Sequence, residues 1–137
     1  MDKCFMNIAI KQAKKAMKKG DFPVGAVIVK NNKILSKAYN KKNIRNITIY
    51  HAEILSIIKA CKKLKSWRLN DCVMYVTLEP CQMCYGAIVE SRISKVIYLT
   101  DSNYKETFSN VSSKLIKIKL ENDCEYLKML NNFFDRK

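Results

Sequence analysis

Residues 75–84 read YVTLEPCQMC, and this stretch passes from a buried β-strand into a helix. The apolar, β-branched and aromatic residues up to Leu78 are typical of a central strand. Pro80 ends the strand and Cys81 opens the helix, so that Cys81 and Cys84 fall one turn apart on the same helical face. A helix N-terminus at this point favours the anionic form of both thiols.

A second short motif, His51-Ala52-Glu53, opens the preceding helix and lies one strand upstream of the cysteines. One imidazole and two thiolates are ligands that a catalytic zinc ion uses, with a fourth position left for water. We therefore predict that His51, Cys81 and Cys84 bind one Zn²⁺ ion. His51 is the only histidine in the chain, so no other imidazole can replace it.

Glu53 is predicted to be the catalytic group and not a ligand. Two thiolates cancel the charge of Zn²⁺, so such a site acidifies its water less than a three-histidine site, where the pKa of bound water falls to about 7. A nearby base is then needed, and Glu53 stands two residues from a predicted ligand. Alone, His-x-Glu is compatible with a surface feature, and Cys-x-x-Cys with a redox pair or half of a structural zinc site. Their joint occurrence at two helix starts favours a catalytic zinc site.

The periodicity of the remaining chain predicts the element order α-β-β-α-β-α-β-β-α. Helices are predicted over residues 3–18, 51–62, 81–90 and 124–134, strands over 24–29, 34–39, 73–78, 95–99 and 116–120, and a polar loop over 40–50. This order implies an α/β fold, a three-layer α/β/α sandwich with a five-stranded mixed sheet. The two metal-binding helices are expected to start at neighbouring strand ends, where open α/β sheets usually bind ligands.

Length and composition limit the class of protein. A chain of 137 residues with 48% hydrophobic residues fits a single domain over residues 1–137. The start of the chain lacks an apolar signal region, and no stretch has the ~18 apolar residues of a membrane span. These features predict a cytoplasmic protein in which the six cysteines are reduced.

The net charge of +14 is concentrated in one half of the chain. Residues 1–70 carry 17 lysines and arginines against three acids, whereas residues 71–137 carry nine charges of each sign. This excess predicts a polyanionic partner, because lysines near phosphates release condensed counterions. A run of five lysines is interpreted as the solvent-facing side of an amphipathic helix, with contact to nucleic acid left open: Lys11, Lys14, Lys15, Lys18 and Lys19.

Three segments resemble the bacterial tRNA wobble adenosine deaminases of the cytidine deaminase superfamily. They are residues 23–29 (PVGAVIV), 51–54 (HAEI) and 75–93 (YVTLEPCQMCYGAIVESRI). The His-x-Glu and Pro-Cys-x-x-Cys pair also matches a known signature of zinc deaminases that act on nucleobases. The resemblance implies a cytidine deaminase-like fold, one Zn²⁺ per subunit, a homodimer, and conversion of adenosine to inosine in the anticodon loop of a tRNA.

The same resemblance implies a set of substrate-binding residues: Val24, Ala26, Asn40, Ala52, Phe133 and Phe134. Within this set, Asn40 is expected to contact the flipped purine, and the backbone around Val24 and Ala26 to line the pocket. One of the two phenylalanines is expected to pack near a flanking nucleotide. The structural alternatives are a turn position for Asn40 and packing of the last helix on the core for the phenylalanines.

Two departures from the family leave the substrate open. Residues 47–50, ITIY, replace a Pro-Thr-Ala-like stretch before the histidine, and residues 100–105, TDSNYK, lack the family's glycines. Asp101 and Lys105 are candidates to replace the RNA contacts of that loop. A deaminase of free guanine, cytidine or a nucleotide is therefore an alternative. A noncatalytic zinc-stabilised binding module, which would have no use for Glu53, is the alternative outside enzymes.

Overall fold

The computed structural model describes residues 2–102, 115–118 and 123–135. The helices are α1 (Asp2–Lys18), α2 (Lys42–Arg45), α3 (Ala52–Leu64), α4 (Gln82–Glu90) and α5 (Asp123–Asp135), and the strands are β1 (Gly25–Lys30), β2 (Lys33–Tyr39), β3 (Cys72–Leu78), β4 (Lys95–Thr100) and β5 (Leu115–Lys117). The strands form one sheet in the order β2-β1-β3-β4-β5. β1 pairs antiparallel with β2 and β3, whereas β4 pairs parallel with β3 and β5, so the predicted mixed sheet is confirmed.

Two apolar layers cover the two faces of this sheet. Successive side chains of a strand point to opposite faces, so Val27 and Val29 pack with α1 and α5 while Ala26 and Ile28 pack with α3 and α4. The predicted three-layer α/β/α sandwich is thus confirmed. Within the described ranges, no helix combines the length and the apolar composition that crossing a bilayer requires.

Two close contacts fix the segment that leads into β1. A Cβ atom on Gly25 would overlap the carbonyl oxygen of Ala9 and lie 2.7 Å from the Cβ of Gln12, so α1 can approach β1 this closely only at a glycine. From the other side, the fully buried Tyr126 of α5 donates a hydrogen bond from its hydroxyl to the carbonyl oxygen of Pro23 at 2.7 Å. Residues 21–24 are therefore held between α1 and α5.

The region predicted as a polar loop contains the short helix α2, so the prediction is wrong at these four residues. The sequence KNIR has no apolar periodicity, and tertiary contacts account for the helix. The carboxylate of Asp21 accepts hydrogen bonds from the backbone N–H groups of Asn43 and Ile44 at 2.8 and 2.9 Å. Leu120, predicted within the last strand, lies outside the described residues.

Candidate metal centre

The predicted ligands meet where α3 and α4 begin, since His51 and Cys81 are the residues that directly precede these helices. The Nδ1 atom of His51 lies 3.7 Å from the Sγ atom of Cys81 and 3.5 Å from that of Cys84. A tetrahedral ion with usual Zn–N and Zn–S bond lengths holds such atoms about 3.6 Å apart. The donor set and its spacing therefore fit one Zn²⁺ ion. Within the described ranges this is the one group of three or more potential metal ligands.

Contacts among the three potential ligands shift the pKa values of their side chains. A hydrogen bond from the Cys84 thiol lowers the pKa of Cys81 to about 4, and the same contact, together with burial, raises the pKa of Cys84. The hydrogen bond with Cys81 raises the pKa of the His51 imidazole. Because a metal needs thiolates and a neutral imidazole, metal binding releases protons from Cys84 and His51 and is favoured as the pH rises.

Glu53 lies beside these ligands and is only 4% exposed. Within the described structure its Oε1 atom has no hydrogen-bond partner. Burial raises the pKa of this carboxyl group to about 7. A buried polar atom without a partner costs free energy, so it indicates a group whose partner is a ligand and not another side chain.

His51, Glu53 and Cys81 line a cavity of about 570 Å³, a volume that accommodates small organic ligands. Its other walls come from three parts of the chain: residues 22–42, the ends of β3 and β4 with the residues that follow them, and α5. The cavity thus lies at strand ends, as the sequence predicts.

Three of the six residues that the family resemblance implies for substrate binding line this cavity: Val24, Asn40 and Phe134. Ala26 and Ala52 are fully buried, in β1 and at the start of α3, and are not among the lining residues. Both phenylalanine rings pack on the ring of Phe22, with centroid distances of 5.0 Å for Phe133 and 5.8 Å for Phe134. Of the two, Phe134 is the one among the lining residues.

The residues that follow β4 are held by two acids. The Oε1 atom of Glu79 accepts a hydrogen bond from the N–H group of Ser102 at 3.1 Å. Asp101 forms an ion pair with Lys117 of β5 at 2.7 Å, which lowers the pKa of its carboxyl group. Both acids line the cavity, whereas Lys105, the other predicted substitute for the glycine-rich loop, lies outside the described residues.

Asp21, which no sequence motif identifies, fixes the orientation of Asn40. The carboxylate of Asp21 is fully buried and accepts hydrogen bonds from the N–H of Phe22 at 2.9 Å and from Nδ2 of Asn40 at 3.1 Å, in addition to those from α2. The Oδ1 atom of Asn40 in turn accepts the N–H of Ala52 at 3.1 Å. Asn40 therefore turns its nitrogen towards Asp21 and its oxygen towards the start of α3.

One signal was available for Asp21. It is one of only three acids among residues 1–70, and it lies just beyond the predicted end of the first helix at residue 18. An isolated carboxylate in a strongly basic segment is a candidate for a buried hydrogen-bond acceptor. Nothing local, however, identifies its donors, which lie about twenty residues away along the chain.

We expect the substitution Asp21→Ala to lower the free energy of unfolding by about 3 kcal/mol, because it leaves one buried and three half-buried N–H groups without an acceptor. Chemical denaturation of the two proteins measures this difference. Glu90→Ala is the matched control: that carboxylate is exposed in a 3.9 Å ion pair with Arg92, and its loss should change stability by less than about 1 kcal/mol. Equal stability of the two variants would contradict a structural role for Asp21.

Comparison with known proteins places this geometry in a family. Residues 1–100 match the zinc-binding region of cytidine and deoxycytidylate deaminases. A tRNA-specific adenosine deaminase of Bacillus subtilis is 50% identical over 97 residues, which cover 71% of this chain and 60% of that protein. A tRNA-specific adenosine deaminase of Buchnera aphidicola subsp. Baizongia pistaciae is 41% identical over 149 residues, with 99% of this chain and 90% of that protein covered.

Two solved structures share the fold. One comes from a study of A-to-I editing by tRNA:A34 deaminases and superposes with a TM-score of 0.76 at 28% identity, covering 85% of this chain and 98% of that chain. The other is a guanine deaminase from Bacillus subtilis, with a TM-score of 0.71 at 30% identity and coverages of 95% and 93%. Proteins named for different substrates thus share this architecture, so the fold alone does not identify the substrate.

Proposed function

Since the chain belongs to the cytidine and deoxycytidylate deaminase family and, within it, to the tRNA-specific adenosine deaminases, we propose that it hydrolyses adenosine to inosine at the wobble position of a tRNA anticodon. The observation that carries this proposal is the buried Glu53 carboxyl, whose Oε1 atom has no hydrogen-bond partner among the described residues and which lies beside the three potential metal ligands. A purely structural metal site has no use for such a carboxyl group.

His51, Cys81 and Cys84 hold the zinc ion in this proposal. When bound, the ion supplies an activated water molecule as the nucleophile for attack on C6 of adenine. The protein contributes a buried environment, because the Cys84 side chain is fully buried and the cavity is walled by apolar groups such as Val24 and Leu78. Exclusion of bulk water strengthens the electrostatic interactions of the reacting groups.

Glu53 moves the protons. It accepts one proton from the attacking water and delivers it to the ring nitrogen next to C6, and it then passes the second proton to the amino group that leaves as ammonia. The C–O bond forms before the C–N bond breaks, so that water and adenosine give inosine and ammonia. A pKa of about 7 suits this exchange, because the carboxyl group both accepts and donates at neutral pH.

One feature supports an RNA substrate over a free base. All of the net positive charge resides in residues 1–70, which contribute Phe22, Val24, Asn40 and Lys42 to the cavity wall. Among RNA substrates, an anticodon loop is favoured over a duplex because its bases are already unstacked, which reduces the cost of moving one into the cavity. The 30% identity to a guanine deaminase and the glycine-free residues after β4 favour the alternative, deamination of a free base or nucleotide.

One assay separates these substrates. We expect zinc-loaded protein to form inosine in a tRNA that carries a wobble adenosine, and to leave free adenosine, guanine and cytidine unchanged. Nuclease digestion followed by chromatography detects inosine, and a coupled assay detects ammonia from the small molecules. Ammonia from small molecules alone would select the free-base alternative. Absence of any turnover with zinc bound would select the noncatalytic module.

We further propose that residues 1–137 form one deaminase domain that acts as a cytoplasmic homodimer. The family membership is the ground for the dimer, and Ile58 of α3 and Met83 of α4, exposed at 39% and 37%, are apolar side chains available to such a contact. The continuous five-stranded sheet supports a single domain. Sedimentation equilibrium measures the subunit number, and a monomer at all concentrations would contradict the dimer.

A further inference from the structure

Five lysines from separate parts of the fold surround the side chain of Tyr39, and we call this group the Tyr39 patch. It comprises Lys15 of α1, Lys19 just after α1, Lys37 of β2, Lys41 just before α2, and Lys59 of α3. The Nζ atom of Lys59 donates a hydrogen bond to the carbonyl oxygen of Lys37 at 3.0 Å, so the patch crosses the edge strand of the sheet from α1 to α3.

Tyr39 holds two of these ammonium groups in place. The Nζ atoms of Lys19 and Lys41 lie 5.3 and 5.0 Å from the centre of its ring, and Lys19 also donates a hydrogen bond to its hydroxyl oxygen at 2.9 Å. A cation held by an aromatic ring keeps its full charge, unlike one paired with a carboxylate. Both ammonium groups are therefore positioned without being neutralised.

No acid compensates this charge within the described part of the chain. The three ion pairs found there involve Lys14, Arg92 and Lys117, none of which belongs to the patch. The hydrogen bond from Lys19 and the charges of Lys41 and Lys15 lower the pKa of Tyr39, and burial together with Lys41 lowers that of Lys59. Like charges in this arrangement repel one another, and an anionic ligand removes that cost.

The patch adjoins the candidate active site. Tyr39 and Lys41 are the neighbours of Asn40, which lines the cavity, and Lys42 lines it as well. Consecutive Cα atoms are about 3.8 Å apart, so the patch begins within one residue of the cavity wall. A nucleotide whose base occupies the cavity leaves its flanking phosphates outside, on the surrounding surface.

We propose that the Tyr39 patch binds the phosphodiester backbone of the RNA next to the deaminated nucleotide, with Lys19 and Lys41 as the positioned phosphate contacts. This inference rests on the proposed function and identifies the surface that receives the RNA. Lysines on an edge strand also discourage pairing with another sheet. That role alone would require neither an ordered aromatic support nor lysines from α1 and α3.

The double variant Lys19→Gln/Lys41→Gln tests the proposal, with binding of a wobble-adenosine tRNA measured by fluorescence anisotropy over a range of salt concentrations. We expect affinity to fall about 10-fold at low salt, and the slope of log K against log salt to decrease in magnitude by about 1.5, because two phosphate contacts are lost. In the deamination assay, KM should rise while kcat at saturation stays near the wild-type value.

The control variant is Lys62→Gln/Lys63→Gln, which removes the same charge from the last turn of α3, about 18 Å along the helix from His51. The proposal would be overturned if the Lys19→Gln/Lys41→Gln variant had the same tRNA affinity and the same salt slope as this control. If the double variant has a smaller salt slope than the wild type but the wild type forms no inosine, the surface assignment stands and the proposed activity fails. If the patch variant forms inosine at the wild-type KM, the activity stands and the surface assignment fails.

Discussion

Replacing Glu53 with alanine is expected to lower the rate of inosine formation by up to about 10⁴-fold, the upper range for loss of a general acid–base group. The zinc content should remain one ion per subunit, because the ligand atoms belong to His51, Cys81 and Cys84. Single-turnover kinetics on tRNA measures the rate, and elemental mass spectrometry of the same sample measures the metal. The two measurements together show whether Glu53 carries protons or binds the metal.

Glu53→Gln is the matched control for size and polarity. A glutamine fills the same volume but cannot carry a proton, so it should lose as much activity as the alanine variant. It should also unfold at an equal or higher denaturant concentration, because it removes a buried carboxyl group whose Oε1 atom has no hydrogen-bond partner in the described part of the chain. A rate near that of the wild type in either variant would refute the assigned role, and loss of zinc would identify Glu53 as a ligand.

Replacing His51 with alanine should remove the metal and, with it, all detectable deamination. Loss of a residue that only orients a metal ligand already costs about 10- to 100-fold in metal affinity, so loss of a ligand itself should cost more than about 10²-fold. Since metal binding stabilises only the folded state, the variant should also melt at a lower temperature than the zinc-loaded wild type. Elemental analysis after dialysis and a thermal melt measure the two effects.

Cys124→Ser serves as the control, because Cys124 is exposed and lies outside the ligand group. This variant should retain zinc and activity. Treatment of the wild type with a chelator should reproduce the His51→Ala phenotype, and added zinc should reverse it only in the wild type. Stoichiometric zinc in His51→Ala would show that the imidazole is not required as a ligand.

The metal centre was predictable because its residues lie in two short sequence motifs. The cysteines stand three residues apart on one helix, and Glu53 stands two residues from His51, so spacing alone places each pair correctly. The strand between the two motifs then brings the two helix starts together. The strands and long helices were predictable for a similar reason. The residues from Val27 to Val29 are continuously apolar, and the apolar residues of α3 recur at helical spacing.

The cavity walls were less predictable, because they depend on tertiary contacts. Phe133 and Phe134 have the same chemistry, but they lie about 100° apart around α5, and only the packing of that helix decides which one faces the cavity. Asp21 builds α2 and orients Asn40 through hydrogen bonds that span about twenty residues. No periodic pattern or short motif encodes such contacts.

Most of the cavity wall comes from segments of the chain other than the two that carry the ligand side chains. The potential metal ligands lie at the starts of α3 and α4, whereas residues 22–42, residues 100–102 and α5 enclose most of a bound substrate. A gene can therefore acquire a new specificity by exchanging peripheral segments while the inherited reaction centre stays intact. For protein engineering, the same division makes residues 101–102 and the end of α5 the rational sites for grafting.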